Sequence, residues 1–174
     1  MQAPPQDAIQ LKLILLGDSG VGKTSIMQRW RNQGFSTSHL TTIGVDFLQQ
    51  LVQVESQSCD LSIWDASGLK NYLFYIKPYL PQAEGIIVVF DVANKESFHN
   101  VAQWIQIAKE SAKVDTEYLL VGNKTELERQ VSSAEGAELA KEHGIPYVEI
   151  SVANNINVEQ IHKELLPKAI KVHE

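Results

Sequence analysis

Cysteine is nearly absent from these 174 residues. Cys59 stands alone, so no intramolecular disulfide can form, and a reducing, cytoplasmic compartment is expected. No apolar run approaches the roughly 20 residues needed to span a bilayer. The opening "MQAPPQDAIQ" has neither a basic n-region nor an apolar h-region. It reads as a flexible lead-in over 1–8 rather than a signal peptide. Positive charge is also scarce. Asp and Glu number 21 against 15 Lys and Arg, a net charge of −6, which argues against a nucleic-acid binder. There is no internal repeat and no low-complexity block. The five histidines show no metal-ligand spacing and no Ser–His–Asp set, and are expected at the surface or at helix caps. With 44% hydrophobic and 21% charged residues, what remains is an ordinary globular composition, enough for one domain over 9–174.

Apolar runs alternate with amphipathic segments. "LKLILL" (11–16) reads as a buried strand entering a Gly-rich turn, with a helix over 24–32. "VDFLQQLVQV" (45–54) and "CDLSIW" (59–64) read as a strand pair joined through "ESQS". "GIIVVFDV" (85–92) is the continuous apolar run of a central parallel strand covered on both faces. Helical spacing of Phe98, Val101, Trp104, Ile105 and Ala108 predicts one helix over 96–112. "EYLLVG" (117–122) is a further strand. Ser132 and Glu135 form a capping-box signature for a helix ending near Gly144. "IPYVEI" (145–150) is the last strand, and 157–172 the last helix, with a break or kink expected at Pro167. The expected fold is α/β: a doubly wound, mostly parallel six-stranded sheet with helices on both faces. Such sheets bind ligands at the carboxyl ends of their strands.

"GDSGVGKT" (17–24) carries the chemistry. Gly17, Gly20 and Gly22 allow the backbone to wrap closely around oxyanions, while N–H groups and a helix N-terminus supply positive potential. The G-x-x-x-x-G-K-[ST] spacing lies between a strand and a helix, the context that confirms a phosphate loop. Lys23 would reach the β- and γ-phosphates, and the Thr24 hydroxyl would face Mg²⁺. The motif does not choose between adenine and guanine.

"IGVDF" (43–47), "WDASGLK" (64–70) and "GNKTE" (122–126), with "LLVGNK" and "NVEQI", resemble a Rab-like small GTPase from about residue 10 to the final helix. The resemblance implies GTP or GDP with Mg²⁺ as ligands. It implies phosphate contacts from Asp18, Ser19, Gly20, Val21, Gly22, Lys23, Thr24 and Ser25. Thr42 would bind the metal and the γ-phosphate, Asp65 the metal through a water, and the Gly68 N–H the γ-phosphate. Guanine would be held by Asn123, Lys124 and Glu126, closed in by Ser151, Val152 and Ala153, with Phe35 against the base. Lys23, Thr42, Gly68 and position 69 would form the catalytic set. Effectors would dock through 36–47 and 64–80, with Trp64 in that face and an exchange factor and an activating protein as further partners. Trp64 and Trp104 themselves read as core or core-edge residues rather than base-stacking ones. The implied protein is a monomer. It would be peripheral on an intracellular membrane only if a lipidated tail exists beyond this chain, whose last residues, "KVHE", carry no cysteine.

The sequence also departs from that family. Leu69 stands where a glutamine orients the attacking water, and a leucine neither donates nor accepts a hydrogen bond. Ser67 replaces an alanine and Ala66 a threonine. Glu126 replaces an aspartate, one methylene shorter, a misfit worth about 1–3 kcal/mol. "SVA" (151–153) replaces S-A-K, and His39 stands where an aromatic is usual. "NYLFYIKPYLPQ" (71–82) is unusually apolar for a second switch. Together these departures point to natural divergence rather than an engineered lock. The expected function is a nucleotide switch in vesicle trafficking with slow hydrolysis. The alternative is a non-hydrolysing adaptor whose nucleotide, if any, is structural. A P-loop kinase or ATPase would need a basic lid and an adenine site, and the sequence offers neither.

Overall fold

A computed structural model describes residues 5–32, 36–40 (backbone only), 45–65, 67 and 71–173. Among the described residues, seven strands form one sheet in the order β2-β3-β4-β1-β5-β6-β7. They are β1 (Ile9–Leu16), β2 (Ser36–Leu40), β3 (Asp46–Val54), β4 (Gln57–Asp65), β5 (Gly85–Asp91), β6 (Glu117–Asn123) and β7 (Tyr147–Glu149). All six expected strands are present. β2 is an additional short strand, antiparallel to β3 at the sheet edge. β3 is also antiparallel to β4, while β1, β4, β5, β6 and β7 run parallel.

The helices are α1 (Lys23–Arg31), α2 (Tyr72–Ile76), α3 (Lys95–His99), α4 (Val101–Ser111), α5 (Ser133–His143) and α6 (Gln160–Lys171), with a 3₁₀ segment at Lys77–Gln82. Two-residue periodicity of the central strands sorts their side chains between two cores. Leu11, Leu13, Leu15, Ile87 and Val89 pack with Ile26, Met27 and Trp30 of α1 and Ile161 and Leu165 of α6. Ile14, Leu16, Ile86, Val88 and Phe90 pack on the other face with Ile76, Val101, Ile105 and Ala140. β5 is buried at every position, which is why its sequence does not alternate.

Several boundaries differ from expectation. The hairpin turn is Glu55–Ser56 alone, with Glu55 at φ 54°, so Gln57 and Ser58 belong to β4. The helix expected over 96–112 is two helices meeting at Asn100. β7 is only three residues long. α6 begins at Gln160 because an antiparallel bridge between Ser151 and Ile156, and then Asn157 at φ 59°, keep the preceding chain non-helical. α6 does not break at Pro167. A proline inside a helix costs about 3 kcal/mol. Burial of Ile161, Leu165, Leu166 and Ile170 along the same helix returns roughly 2 kcal/mol per side chain, so packing holds the helix together.

β1 lies between β4 and β5, so the chain leaves it first toward one side of the sheet and later returns on the other. That reversal opens a crevice at the carboxyl end of β1, where residue 17 begins the glycine loop.

Candidate functional site

The loop after β1 requires its glycines. Gly17 has φ 143°, and a Cβ there would lie 2.2 Å from the Val89 carbonyl oxygen. Gly22 has φ 107°, and its Cβ would lie 2.3 Å from Asn123 Nδ2. α1 then starts at Lys23 with no side-chain cap and no acid in its first turn. Its first N–H groups therefore face the crevice with their positive end unopposed.

Lys23 is buried and donates to the carbonyls of Gly17 (2.7 Å) and Asp18 (2.6 Å). Its ammonium lies 5.2 Å from the centre of the Tyr72 ring. Burial lowers its pKa to about 8, against the opposing pull of Asp65 and Asp18. Tyr72 donates its hydroxyl to the Leu15 carbonyl, and burial holds that phenol well above its ordinary pKa.

Asp65, at the end of β4, is buried. Thr24 Oγ1 donates to Asp65 Oδ2 at 2.8 Å, and the Ser67 N–H donates to Oδ1 at 2.9 Å. Ser67 Oγ donates to the same oxygen at 2.5 Å. All the donors here are oxygen, which suits Mg²⁺. A site built on one carboxylate plus hydroxyls also leaves room for the phosphate oxygens that Mg²⁺ normally takes as ligands.

Asn123, at the end of β6, joins two loops. Its Nδ2 donates to the Val21 carbonyl (2.9 Å), and its Oδ1 accepts from the Val152 N–H (3.2 Å). Lys124, at φ 68°, donates to the Gly20 carbonyl at 2.7 Å and pairs with Asp91 Oδ2 at 3.1 Å. A cavity of about 380 Å³ lies beside them, lined among others by Gly22, Ser25, Asn123, Lys124, Val152 and Ala153. Ser151 is fully buried, lies outside that lining and accepts the Asn154 N–H at 3.1 Å. Glu126 is exposed and lies outside that lining. A second cavity, about 690 Å³, runs from Gly17, Asp18, Ser19 and Lys23 to Ser67, Tyr72, Phe74 and Trp104.

Phe35, Thr42, Gly68 and Leu69 fall outside the described residues, as does Ala66, and nothing of the His39 side chain is described. Trp64 stacks on Tyr79 at 4.6 Å and meets Phe47 at 4.7 Å, a half-buried aromatic row in keeping with a core-edge residue. His162 is not a surface residue. It is half-buried and stacks on Trp30 at 4.6 Å between α1 and α6, because it stands one turn before the buried Leu165 and Leu166 of α6. Arg29 lines the first cavity and donates to the Val152 carbonyl, while Arg31 pairs with Asp46 and Arg129 with Glu149.

Asn100, Trp104, Tyr72 and Asp91 were not among the expected site residues. Asn100 and Trp104 stand four apart on one helical face, and each donates to a different oxygen of Asp18. That i, i+4 spacing was the available signal. Asp91 ends β5 as Asp65 ends β4, a second strand-end acid.

A glycine loop between a central parallel strand and an uncapped helix, with acids closing the neighbouring strands, is the arrangement of a P-loop nucleotide-binding domain. The Ras family model matches residues 12–171. "Ras-related protein Rab-15" of Homo sapiens is 34% identical over 167 residues, 95% of this chain and 79% of that protein. "Ras-related protein Rab-13" of Canis lupus familiaris is 38% identical over 156 residues, 88% and 77% of the two chains. "Ras-related protein RAB1BV" of Beta vulgaris is 37% identical over 169 residues, 92% and 79%. The chain belongs to the Ras family, as a Rab-like small GTPase.

Proposed function

We propose that this chain is a guanine-nucleotide switch that binds GTP or GDP with Mg²⁺ and hydrolyses GTP slowly. The convergence of Lys23, Thr24, Asp65 and Asn123 at the carboxyl ends of neighbouring strands carries this reading. In it, the loop from Gly17 to Ser25 wraps the phosphates. Lys23 exchanges its two carbonyl partners for β- and γ-phosphate oxygens, gaining charge-assisted bonds. Thr24 and Thr42 hold the metal directly and Asp65 holds it through a water. When bound, Mg²⁺ neutralises phosphate charge. Asn123 and Lys124 read guanine at the 380 Å³ cavity, Glu126 joins them from outside its lining, and Ser151, Val152, Ala153 and Phe35 close the pocket.

Leu69 cannot orient a water, so the GTP state persists, and with Arg29, Arg31 and Arg129 each held by a partner within the chain, any catalytic arginine comes from a partner protein. The surface that changes with nucleotide is 36–47 with 64–80. It contains the Phe47–Trp64–Tyr79 row and the exposed Phe74, which suits effector proteins. Residues 9–174 act as one monomeric domain. Vesicle trafficking is the process the Rab-like sequence supports, from the cytoplasm or at a membrane periphery. No helix among the described residues is long and apolar enough to cross a membrane.

Two observations favour an adaptor instead: Lys23 and Thr24 already have partners within the chain, and Glu126 stands away from the cavity. Denaturing the purified protein and identifying the released nucleotide by chromatography decides between them. Near one guanine nucleotide per chain, mostly GTP, is the expected result. An empty protein that takes up no GTP with Mg²⁺ would leave the adaptor reading.

A further inference from the structure

We propose that Ser67 is a positioning residue on the magnesium side of the site, its hydroxyl joining Thr24 and Asp65 into one oxygen cradle. This rests on the switch reading. Ser67 Oγ lies 2.7 Å from Thr24 Oγ1 and 2.5 Å from Asp65 Oδ1, while Thr24 Oγ1 lies 2.8 Å from Asp65 Oδ2. These are three close oxygen–oxygen contacts among two hydroxyls and one carboxylate. Two hydroxyls supply two protons, so one contact of the three always has lone pair facing lone pair. The cluster is therefore richer in lone pairs than in protons, and a hard cation relieves that imbalance.

Ser67 also gives the Thr24 proton a second acceptor besides Asp65 Oδ2. A threonine hydroxyl that turns a lone pair toward a metal must hand its proton to an acceptor on another side. Ser67 Oγ is within reach to accept it and passes its own proton to Asp65. The Ser67 N–H, bonded to the same Oδ1 at 2.9 Å, fixes the serine in place for that relay. Alanine, which the family carries at this position, has no oxygen to offer. Relative to that pattern this chain moves a hydroxyl from position 66 to position 67, against Thr24 and Asp65, and the consequence is tighter retention of Mg²⁺ and, with it, of nucleotide.

The test loads the purified chain with a fluorescent GDP analogue and follows its release while free Mg²⁺ is buffered from nanomolar to millimolar. Outer ligand partners typically change metal affinity by about tenfold or more. Ser67→Ala is expected to raise the half-maximal Mg²⁺ by about tenfold, with release in excess chelator unchanged. Ser67→Thr, which keeps the hydroxyl, is expected to return the midpoint to that of the native chain. Coinciding midpoints for S67A and the native chain would overturn the role of Ser67. So would faster release by the same factor with and without Mg²⁺, which is what a merely structural residue would give. A native chain that retains no analogue at any Mg²⁺ concentration would instead remove the switch reading, and this inference with it.

Discussion

Trp104 donates its indole N–H to Asp18 Oδ1 at 2.8 Å, across 86 residues of sequence, while Asn100 takes Oδ2 at 2.7 Å. The second residue of the phosphate loop is therefore clamped sideways onto α4, and its carbonyl holds Lys23 from the front. Trp104→Phe keeps a ring against Tyr72, which Trp104 meets edge-on at 5.5 Å, but removes the donor. Hydrogen bonds to charged groups contribute roughly 1.5–3 kcal/mol, and partial exposure here puts the loss nearer 1–2 kcal/mol. Urea unfolding should show W104F less stable by that amount, with looser nucleotide binding. An unchanged midpoint would mean the clamp is ornamental.

Gly136 sits inside α5, where alanine would ordinarily stabilise by about 0.5–1 kcal/mol. Here a Cβ would come within 2.3 Å of Tyr147 Oη and 2.4 Å of its ring. The ring has little freedom to retreat, since its hydroxyl donates to Glu149 at 2.7 Å and its face stacks over Phe90. Overpacking of this kind costs about 1–3 kcal/mol, which outweighs the helix gain. Gly136→Ala should therefore lower the unfolding free energy in the native background. In a Tyr147→Leu background it should cost little or nothing, because the obstructing ring is gone. Equal losses in both backgrounds would rule out the ring as the cause.

What could be read from the sequence was what is decided locally. The capping box of α5 is formed from both sides, Glu135 N–H to Ser132 Oγ and Ser132 N–H to Glu135 Oε2. Gly144 closes the helix at φ 66°. The buried strands showed themselves as continuous apolar runs, and the glycine loop by its spacing. What could not be read depends on distant partners. Helix continuity through Pro167 is a packing outcome. The division at Asn100 and the Asp18 clamp require α4 to lie beside the loop. The inward place of His162 depends on Trp30. Beside Thr24 and Asp65, the sequence marked Ser67 only as a replacement for an alanine, and its hydroxyl acquires a meaning once those two residues stand on either side of it.

His162 packs on Trp30 with its Nε2 closed off from solvent and without a hydrogen-bond partner. Burial lowers its pKa to about 4 from an ordinary 6.5. The folded chain keeps this imidazole neutral where the unfolded chain would protonate it. Stability is then fully present above pH 6.5 and declines as pH falls from 6.5 toward 4. The full shift is worth roughly 1–3 kcal/mol. Unfolding of His162→Leu, measured between pH 7.5 and 4.5, should lose less stability across that window than the native chain. Parallel curves would show that acid sensitivity arises elsewhere.

Lys23 gives a pH dependence of the opposite kind, on binding rather than on folding. Its ammonium loses its proton near pH 8 because burial disfavours the charge, with Asp65 and Asp18 only partly offsetting this. Phosphate oxygens at Lys23 Nζ would favour the charged form and raise that pKa. Below about 8 the lysine is charged with or without ligand, so affinity should be flat in pH. Above it, binding must take up a proton, and affinity should fall by up to about tenfold per pH unit until the pKa of the bound state is reached. Calorimetric titration with GDP and Mg²⁺ at pH 7, 8 and 9, in buffers of different ionisation enthalpy, measures both the affinity and the proton uptake. The expected outcome is uptake approaching one proton at pH 9 and little at pH 7. Uptake near zero at pH 9 would show that Lys23 keeps its charge in the free protein. The two carbonyls of Gly17 and Asp18 would then hold the ammonium ready for phosphate at no cost in protonation.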